Sequence, residues 1–473
     1  MRVARLVQSA MIAGAVLVAC PASAAAPQAM TSEAMRAGAR DIFQTVIALQ
    51  TVEGRGQVPV MAKYLAGKFQ AGGFPAEDIE ILPHGETASL IVRYRGADRA
   101  AKPILFLAHM DVVEANPADW ERDPFTLVEE NGYFYGRGTA DVKQEVALLT
   151  TTFLRLKAEG YVPSSDLVIA FSGDEETGMD TASDLAIRLA GAEFALNGDG
   201  GQGVLNDATG KPEVYYLQGA EKYYVTFDLT ARNPGGHSSQ PRPDNAIYEL
   251  ADALEALKAY RFPVMWNDWT LGSFKESAKA TPGALGEAMA TFAADPHDTA
   301  AADTLSASPL LVGKLRTTCV ATMLKGGHAE NALPQSATAT VNCRVFPGVG
   351  LDEVRATLQR LAGDKVEVKL VGTPHPSNPS PMRPDVVAAV TKAVHADYAG
   401  VPIVPEMAAY ATDGSVFRAA GIPTYGASSL FIKGSDEFSH GLNERISVAS
   451  FYAGLEHWYV LATTLGGKPG HPP

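Results

Sequence analysis

Ile104-Leu105-Phe106-Leu107-Ala108-His109-Met110-Asp111 is the stretch on which the fold turns. Five apolar residues in an unbroken run are too few for a core helix and read as a strand buried on both faces, the kind found in parallel sheets. The run ends in histidine and aspartate two residues apart, which in an extended chain point to the same side. Two further runs repeat the arrangement. Leu167-Val168-Ile169-Ala170-Phe171 is followed by Asp174-Glu175-Glu176, and Phe194-Ala195-Leu196-Asn197 by Gly198-Asp199. Helical patterns separate the runs from about Thr31 to Tyr216, as expected of helices flanking a mostly parallel sheet. Polar groups therefore gather at strand carboxyl ends, the edge where open α/β sheets hold their ligands.

Near Glu221 the texture changes. Tyr223 to Leu229 is a longer aromatic and β-branched strand, followed by a helical stretch over Asn245–Tyr260. Strands over Arg316–Lys325, Ala337–Phe346 and Val366–Val371, with a helix near Leu351–Leu361, complete an α+β unit. An Ala-rich segment from Phe262 to Pro309 is read inside this unit as short helices. From Met382 the first texture resumes, helical over Asp385–Tyr398 and extended at Ile403-Val404. The expected organisation is an α/β catalytic domain over 25–216 and 374–473, with an α+β lid or dimerisation domain inserted over 217–373. Hinges are expected near Leu217 and Thr373.

A chain of 473 residues with 46 % hydrophobic and 19 % charged residues is a folded globular protein of more than one ordinary core. Arg2 and Arg5 precede an apolar stretch over Ala10–Ala19 and a small-x-small site at Ala22-Ser23-Ala24, which reads as a signal peptide over residues 1–24. The apolar stretch is shorter than a spanning helix needs. Leu17-Val18-Ala19-Cys20 also resembles a lipoprotein site, in which case Cys20 carries the membrane anchor. Either route takes the protein out of the cytoplasm, to a bacterial periplasm or beyond. Cleavage removes two arginines from a chain of net charge −14, which argues against nucleic acid or an anionic membrane as partner. Cys319 and Cys343 either pair in the oxidising compartment or remain separate buried thiols.

His109-Met110-Asp111 suits a ligating imidazole backed by a carboxylate that fixes its tautomer. Taken alone it also fits a structural histidine. Asp141 follows the turn Gly136-Arg137-Gly138-Thr139-Ala140 and could equally cap a helix from Val142 to Ala158. Asp174-Glu175-Glu176 could be a solvated turn, and Asn197-Gly198-Asp199-Gly200 an Asp-Gly turn. Four such places in succession are harder to explain as unrelated turns. Clustered acids repel and raise one another's pKa unless cations lie between them. Oxygen and imidazole donors suit zinc, with manganese or cobalt as substitutes.

These residues resemble the M20 metallopeptidases, a family that includes glutamate carboxypeptidase, acetylornithine deacetylase, succinyl-diaminopimelate desuccinylase, aminoacylase and carboxypeptidase S. The likeness rests on His109-Met110-Asp111, Gly136-Arg137-Gly138 through Asp141 and Lys143, Asp174-Glu175-Glu176-x-Gly178, Asp199, Gly236-His237-Ser238-Ser239, Asn331-x-x-Pro334 and Glu437-Phe438-Ser439-His440-Gly441. It implies a dizinc exopeptidase-like catalytic domain. One metal would take His109, Asp141 and Asp199, the other Asp141, Glu176 and His440, with a water between them. Spacing alone does not choose His440 over His457. The resemblance further implies Glu175 as general base, Asp111 as the support of His109, His237 as oxyanion donor from the smaller domain, often that of a partner subunit, and Asn331 and Arg344 as substrate contacts. Gln144 stands where the family often has glycine, a departure expected at the pocket floor.

The leading expectation is a metallo-exopeptidase that removes a C-terminal residue or splits short peptides. The runner-up is an N-acyl-amino-acid amidohydrolase using the same site. A binding protein that kept the fold and lost catalysis predicts missing ligands, and all are present. The lid also makes a homodimer a candidate state.

Overall fold

The computed structural model describes residues 32–467; the export signal, its cleavage site and Cys20 lie outside the described residues. Ten strands build one large sheet in the order Ile79–His84, Thr87–Tyr94, Leu167–Ser172, Ile104–His109, Phe194–Asn197, Thr424–Gly426, Pro212–Glu221, Gln202–Leu205 and Phe431–Lys433, with Ile403–Ala408 also paired to Pro212–Glu221. The centre is parallel, Ile104–His109 running alongside both Leu167–Ser172 and Phe194–Asn197. Every residue of Ile104–His109 and Leu167–Ser172 is buried, which explains their unbroken apolar composition.

Helices cover both faces. Phe106 points to a core shared with Phe153 of the helix Lys143–Ala158 and Trp458 of the helix Val448–Gly466. Leu105 and Leu107 point the other way, to Ala182 and Leu185 of Asp180–Arg188 and to Phe417 of Asp413–Ala419. The alternation follows from the period of two along a strand.

Four antiparallel strands form a second sheet in the order Thr318–Gly326, Ser336–Val345, Tyr223–Arg232 and Val366–Val371. Tyr223, Val225, Phe227, Leu229 and Ala231 face inward, against helices Ala246–Ala259 and Leu351–Ala362. Cys319 and Cys343 stand directly opposite one another on neighbouring strands and are joined as a disulfide. Among the described residues no helix is long and apolar enough to cross a membrane.

Two expectations need correction. The boundary near Leu217 falls inside the Pro212–Glu221 strand of the large sheet, where Leu217 is buried opposite Pro405 and cannot act as a hinge. The chain passes from one sheet to the other across the single residue Lys222. The Phe262–Pro309 segment does form short helices, Asp268–Ser277, Gly283–Ala294 and Thr299–Ser306, but the first of these packs on the large sheet. Its Trp269 is buried in that sheet's core and donates its ring N–H to the Ser380 carbonyl at 2.7 Å. Burial of this one large ring draws the segment away from the smaller sheet.

Candidate metal centre and active site

His109 ends its strand fully buried, with Nδ1 facing the Asp111 carbonyl at 3.0 Å and the Asp111 carboxylate at 3.4 Å. Nε2 faces Asp141 Oδ1 at 3.1 Å and Asp199 Oδ2 at 3.9 Å, and a proton kept on Nδ1 would free its lone pair for a cation held between them. Asp111 does more than orient the imidazole. Its two oxygens accept the backbone N–H groups of Glu175 at 3.2 Å and Glu176 at 3.0 Å, so one carboxylate fixes both the histidine and the acidic turn.

Asp141 arrives by a different route from the other acids. It follows Tyr133–Tyr135, which lies in a separate three-stranded sheet with Val128–Glu130 and Arg445–Ser447. The helix that begins at Lys143 is capped by Val142 without a side-chain bond, so Asp141 is not its cap. Its oxygens divide instead. Oδ1 faces His109, and Oδ2 faces His440 Nε2 at 3.2 Å, which also lies 3.0 Å from Glu176 Oε2. A carboxylate with one oxygen towards each imidazole has the disposition of a bridge.

The acidic triplet splits by role. Asp174 accepts the N–H groups of Asp180 and Thr181 at 3.0 and 3.1 Å and the Thr181 hydroxyl, tying the turn to the next helix. Glu175 and Glu176 face the cavity. At the third strand end Asn197 accepts the Asp199 N–H at 3.0 Å, which leaves the Asp199 carboxylate for the pocket. The cavity is ≈ 510 Å³ and is lined by Asp141, Glu175, Glu176, Asp199, Glu437 and His440, with Tyr410 on its wall.

The charges are strained as they stand. Burial, then the Asp199 charge, pushes Glu175 well above the usual carboxylate range, and burial with the Asp141 charge does the same to Asp199. Burial would raise Asp141 too, but hydrogen bonds to His109 and His440 hold it low. Hydrogen bonds to Asp141 and Glu176 lift His440 to about 10. Ligating atoms of His109, Asp141 and Glu176 lie within 4.8 Å of one another, as do those of His109, Glu175 and Asp199. Asp141, Glu175, Glu176 and Asp199 at the cavity, with His440 on its wall and His109 behind Asp141 and Asp199, have only histidine protons for counter-charge and are a donor set that fits a pair of divalent cations.

The remaining expected residues lie elsewhere. His237, in the short strand Gly236–His237, pairs with Ala332–Leu333 beside Asn331, whose carbonyl accepts the Ser238 N–H at 3.0 Å. Arg344 stacks over Tyr224, 4.8 Å from the ring centroid, opposite the start of the Tyr223–Arg232 strand, at the far end of the Ser336–Val345 strand from Ala332–Leu333, the short strand next to Asn331. Eight positions at ~3.3 Å each separate Ser336 from Arg344, about 26 Å. None of the three lines the cavity. His457 is a core residue, its Nε2 donating to the Ala427 carbonyl at 3.0 Å. Gln144 is buried against Ala140 and does not line the cavity, so the expected change at the pocket floor is absent.

Sequence reasoning missed the supports. Glu145 is buried and accepts from Ser428, Ser429 and Trp458. Asn197 donates to the Thr412 hydroxyl at 3.1 Å, which donates to Glu221, itself paired with Arg418. Glu444 accepts from the backbone of the Asp141 turn. No motif spacing marks such groups; only their burial identifies them.

The chain is similar to known proteins in sequence and fold. Residues 105–464 match the family described as Peptidase family M20/M25/M40. The N-fatty-acyl-amino acid synthase/hydrolase PM20D1 of Xenopus tropicalis is 32 % identical over 371 residues, 76 % of this chain and 72 % of that protein. Aminoacylase-1 of Mus musculus is 25 % identical over 91 % of this chain and 96 % of its own length. The M20 family metallo-carboxypeptidase Sso-CP2 of Sulfolobus solfataricus has the same fold, with a TM-score of 0.68 at 18 % identity over 89 % of this chain and 98 % of that one. With its family match extending from the first central strand into the last helix, the chain belongs to peptidase family M20/M25/M40 and is a hydrolase of amide bonds.

Proposed function

We propose that the protein is a two-zinc amidohydrolase that splits N-acyl amino acids into a carboxylic acid and a free amino acid. The observation that carries this reading is the division of the Asp141 oxygens between His109 and His440. His109, Asp141 and Asp199 would hold one ion and Asp141, Glu176 and His440 the other. When bound, the pair supplies Lewis acidity at the scissile carbonyl and acidifies the attacking water. Glu175 takes the proton of that water and passes it to the leaving nitrogen, a transfer that burial and neighbouring charge favour by keeping its carboxyl easy to protonate. Asp111 holds the Glu175 backbone in place. Arg344 does not line the cavity as it stands, and would supply a planar cation for the substrate carboxylate only once the smaller sheet closes over it.

The N-acyl class is supported by relatives named for N-fatty-acyl-amino acids and by aminoacylase-1. A second reading, cleavage of short peptides from the carboxyl end, has the family's own description in its favour. Turnover of an N-acyl amino acid panel against a dipeptide panel by zinc-loaded protein separates them. Faster hydrolysis of the dipeptides would overturn the first reading.

His237 and Asn331 act, in this proposal, in the cavity of a second copy. Support comes from the length of sheet between them and Arg344, and from the edge strand Thr318–Gly326, which exposes Val320, Met323 and Leu324 at 58, 58 and 66 %. Mixing equal amounts of inactive His237→Ala and inactive Glu175→Gln should restore up to about a quarter of normal activity, since about half of the dimers are then hybrids and one of the two sites in each carries both groups; no recovery after subunit exchange overturns it. Export through the signal over residues 1–24 is part of the same reading, and the Cys319–Cys343 disulfide suits an oxidising compartment. N-terminal sequencing of the mature protein tests it.

A further inference from the structure

Glu444 has no exposure at all, yet its carboxylate gathers four hydrogen bonds. Oε2 accepts from Arg137 Nη1 at 2.6 Å and from the Gly138 N–H at 3.1 Å. Oε1 accepts the N–H groups of Ala140 at 2.7 Å and Asp141 at 3.1 Å. The backbones join as well, Gly136 N–H donating to the Glu444 carbonyl at 3.1 Å, while Arg137 Nη2 reaches the Gly441 carbonyl at 3.1 Å. Arg137 is itself 97 % buried, with Trp120 over its guanidinium.

The position of this pair in the chain gives it meaning. Arg137 lies four residues before Asp141, and Glu444 lies four residues after His440. His440 is half exposed, on a turn where it and Asn443 both take positive φ, at 62° and 56°. Such a turn is held by buried acids four residues to either side, Asp436 and Glu444, and of the two Glu444 is the one bonded to the Asp141 turn. Asp141 likewise sits on a turn rather than a strand end. The two turns come from remote parts of the chain and meet through a buried, hydrogen-bonded ion pair, the kind whose loss of one partner leaves a stranded charge.

We propose that Glu444, with Arg137, is a positioning residue that sets the separation of Asp141 from His440 and thereby governs occupancy of the metal position these two share with Glu176. The role rests on the two-metal reading above. Neither side chain lines the cavity. The other position shares Asp141 and so feels the pair through that one residue, but its His109 and Asp199 stand at strand ends of the large sheet, whereas the position with Glu176 has both Asp141 and His440 on the tied turns.

Zinc binding to metal-free protein, followed by calorimetry and by competition with a chelator, tests this. Wild-type protein should take up two ions; uptake of fewer would refute the two-metal reading itself. Glu444→Gln keeps the shape but turns an N–H₂ towards backbone donors, and is expected to weaken one of the two ions by about tenfold or more and the other, which has only Asp141 in common with it, distinctly less. Adding Glu444→Gln to His440→Ala should cost little beyond His440→Ala alone, whereas adding Asp199→Asn to Glu444→Gln should weaken the remaining ion as well. Glu444→Asp, which keeps the charge, should recover part of the loss. Wild-type affinity for both ions in Glu444→Gln, or equal weakening of both, overturns the proposal. Should Glu444→Gln not fold, Arg137→Lys carries the same test: selective weakening of one ion supports the role, and unchanged or uniformly changed binding overturns it.

Discussion

His440 and His457 stand on equal terms in the sequence, and their titration should separate them. His457 lies in the core between Tyr215 and Trp458, with one ring nitrogen donating to Ala427, and burial pulls its pKa from 6.5 down to about 4. Between these values the unfolded chain binds a proton at this residue and the folded chain does not. Stability from the neutral ring is therefore complete above the ordinary imidazole pKa and drains away as pH falls towards the folded value. Linkage makes the loss between about pH 7 and about pH 5 roughly 2 kcal/mol. His457→Gln keeps a donor for the Ala427 carbonyl and cannot titrate in this range. The variant should be less stable than wild type at about pH 7 through lost packing, and the gap should narrow by roughly 2 kcal/mol at about pH 5. Urea unfolding of both proteins at both pH values measures it, and taking the difference cancels every other titrating group. A gap of the same size at both pH values would refute the argument that His457 is held neutral by burial.

Two further outcomes follow from the site and the core. Glu175→Gln should lower kcat by about 10²- to 10⁴-fold while zinc stoichiometry stays at the wild-type value; loss of an ion instead would make Glu175 a ligand, which its closeness to His109 and Asp199 allows. Gly219→Ala places a Cβ 1.8 Å from Trp269 Cζ2, so the ring must move. The expected cost is about 3 kcal/mol, read as a lower urea midpoint, and an unchanged midpoint would show that Trp269 yields freely.

The central strands were legible because burial on both faces leaves only apolar residues, as in Ile104–Ala108 and Leu167–Phe171. Val366–Val371 was legible by alternation. The Pro212–Glu221 strand was not, since its Gln218, Gly219 and Glu221 are buried for network and packing reasons that no hydropathy pattern carries. The site residues beside strand ends could be collected from the sequence, but their division of labour could not. Asp174 and Glu175 are neighbours of one chemical kind, and only the position of the Thr181 and Asp180 donors makes the first a structural brace. Glu444 is equally silent in sequence, because an acid in a loop ordinarily faces water.

The passage from Glu221 through Lys222 to Tyr223 joins two sheets without a turn. Side chains along the Tyr223–Arg232 strand alternate between the core and the outside, so a residue added at this joint would rotate the whole strand by half a turn about its axis. Phe227 and Leu229 would then face outward, and Thr226 and Asp228 would be driven against the helices. Most multidomain chains accept length changes where one unit gives way to the next; in this chain the joint is as intolerant of an insertion as the middle of a core strand.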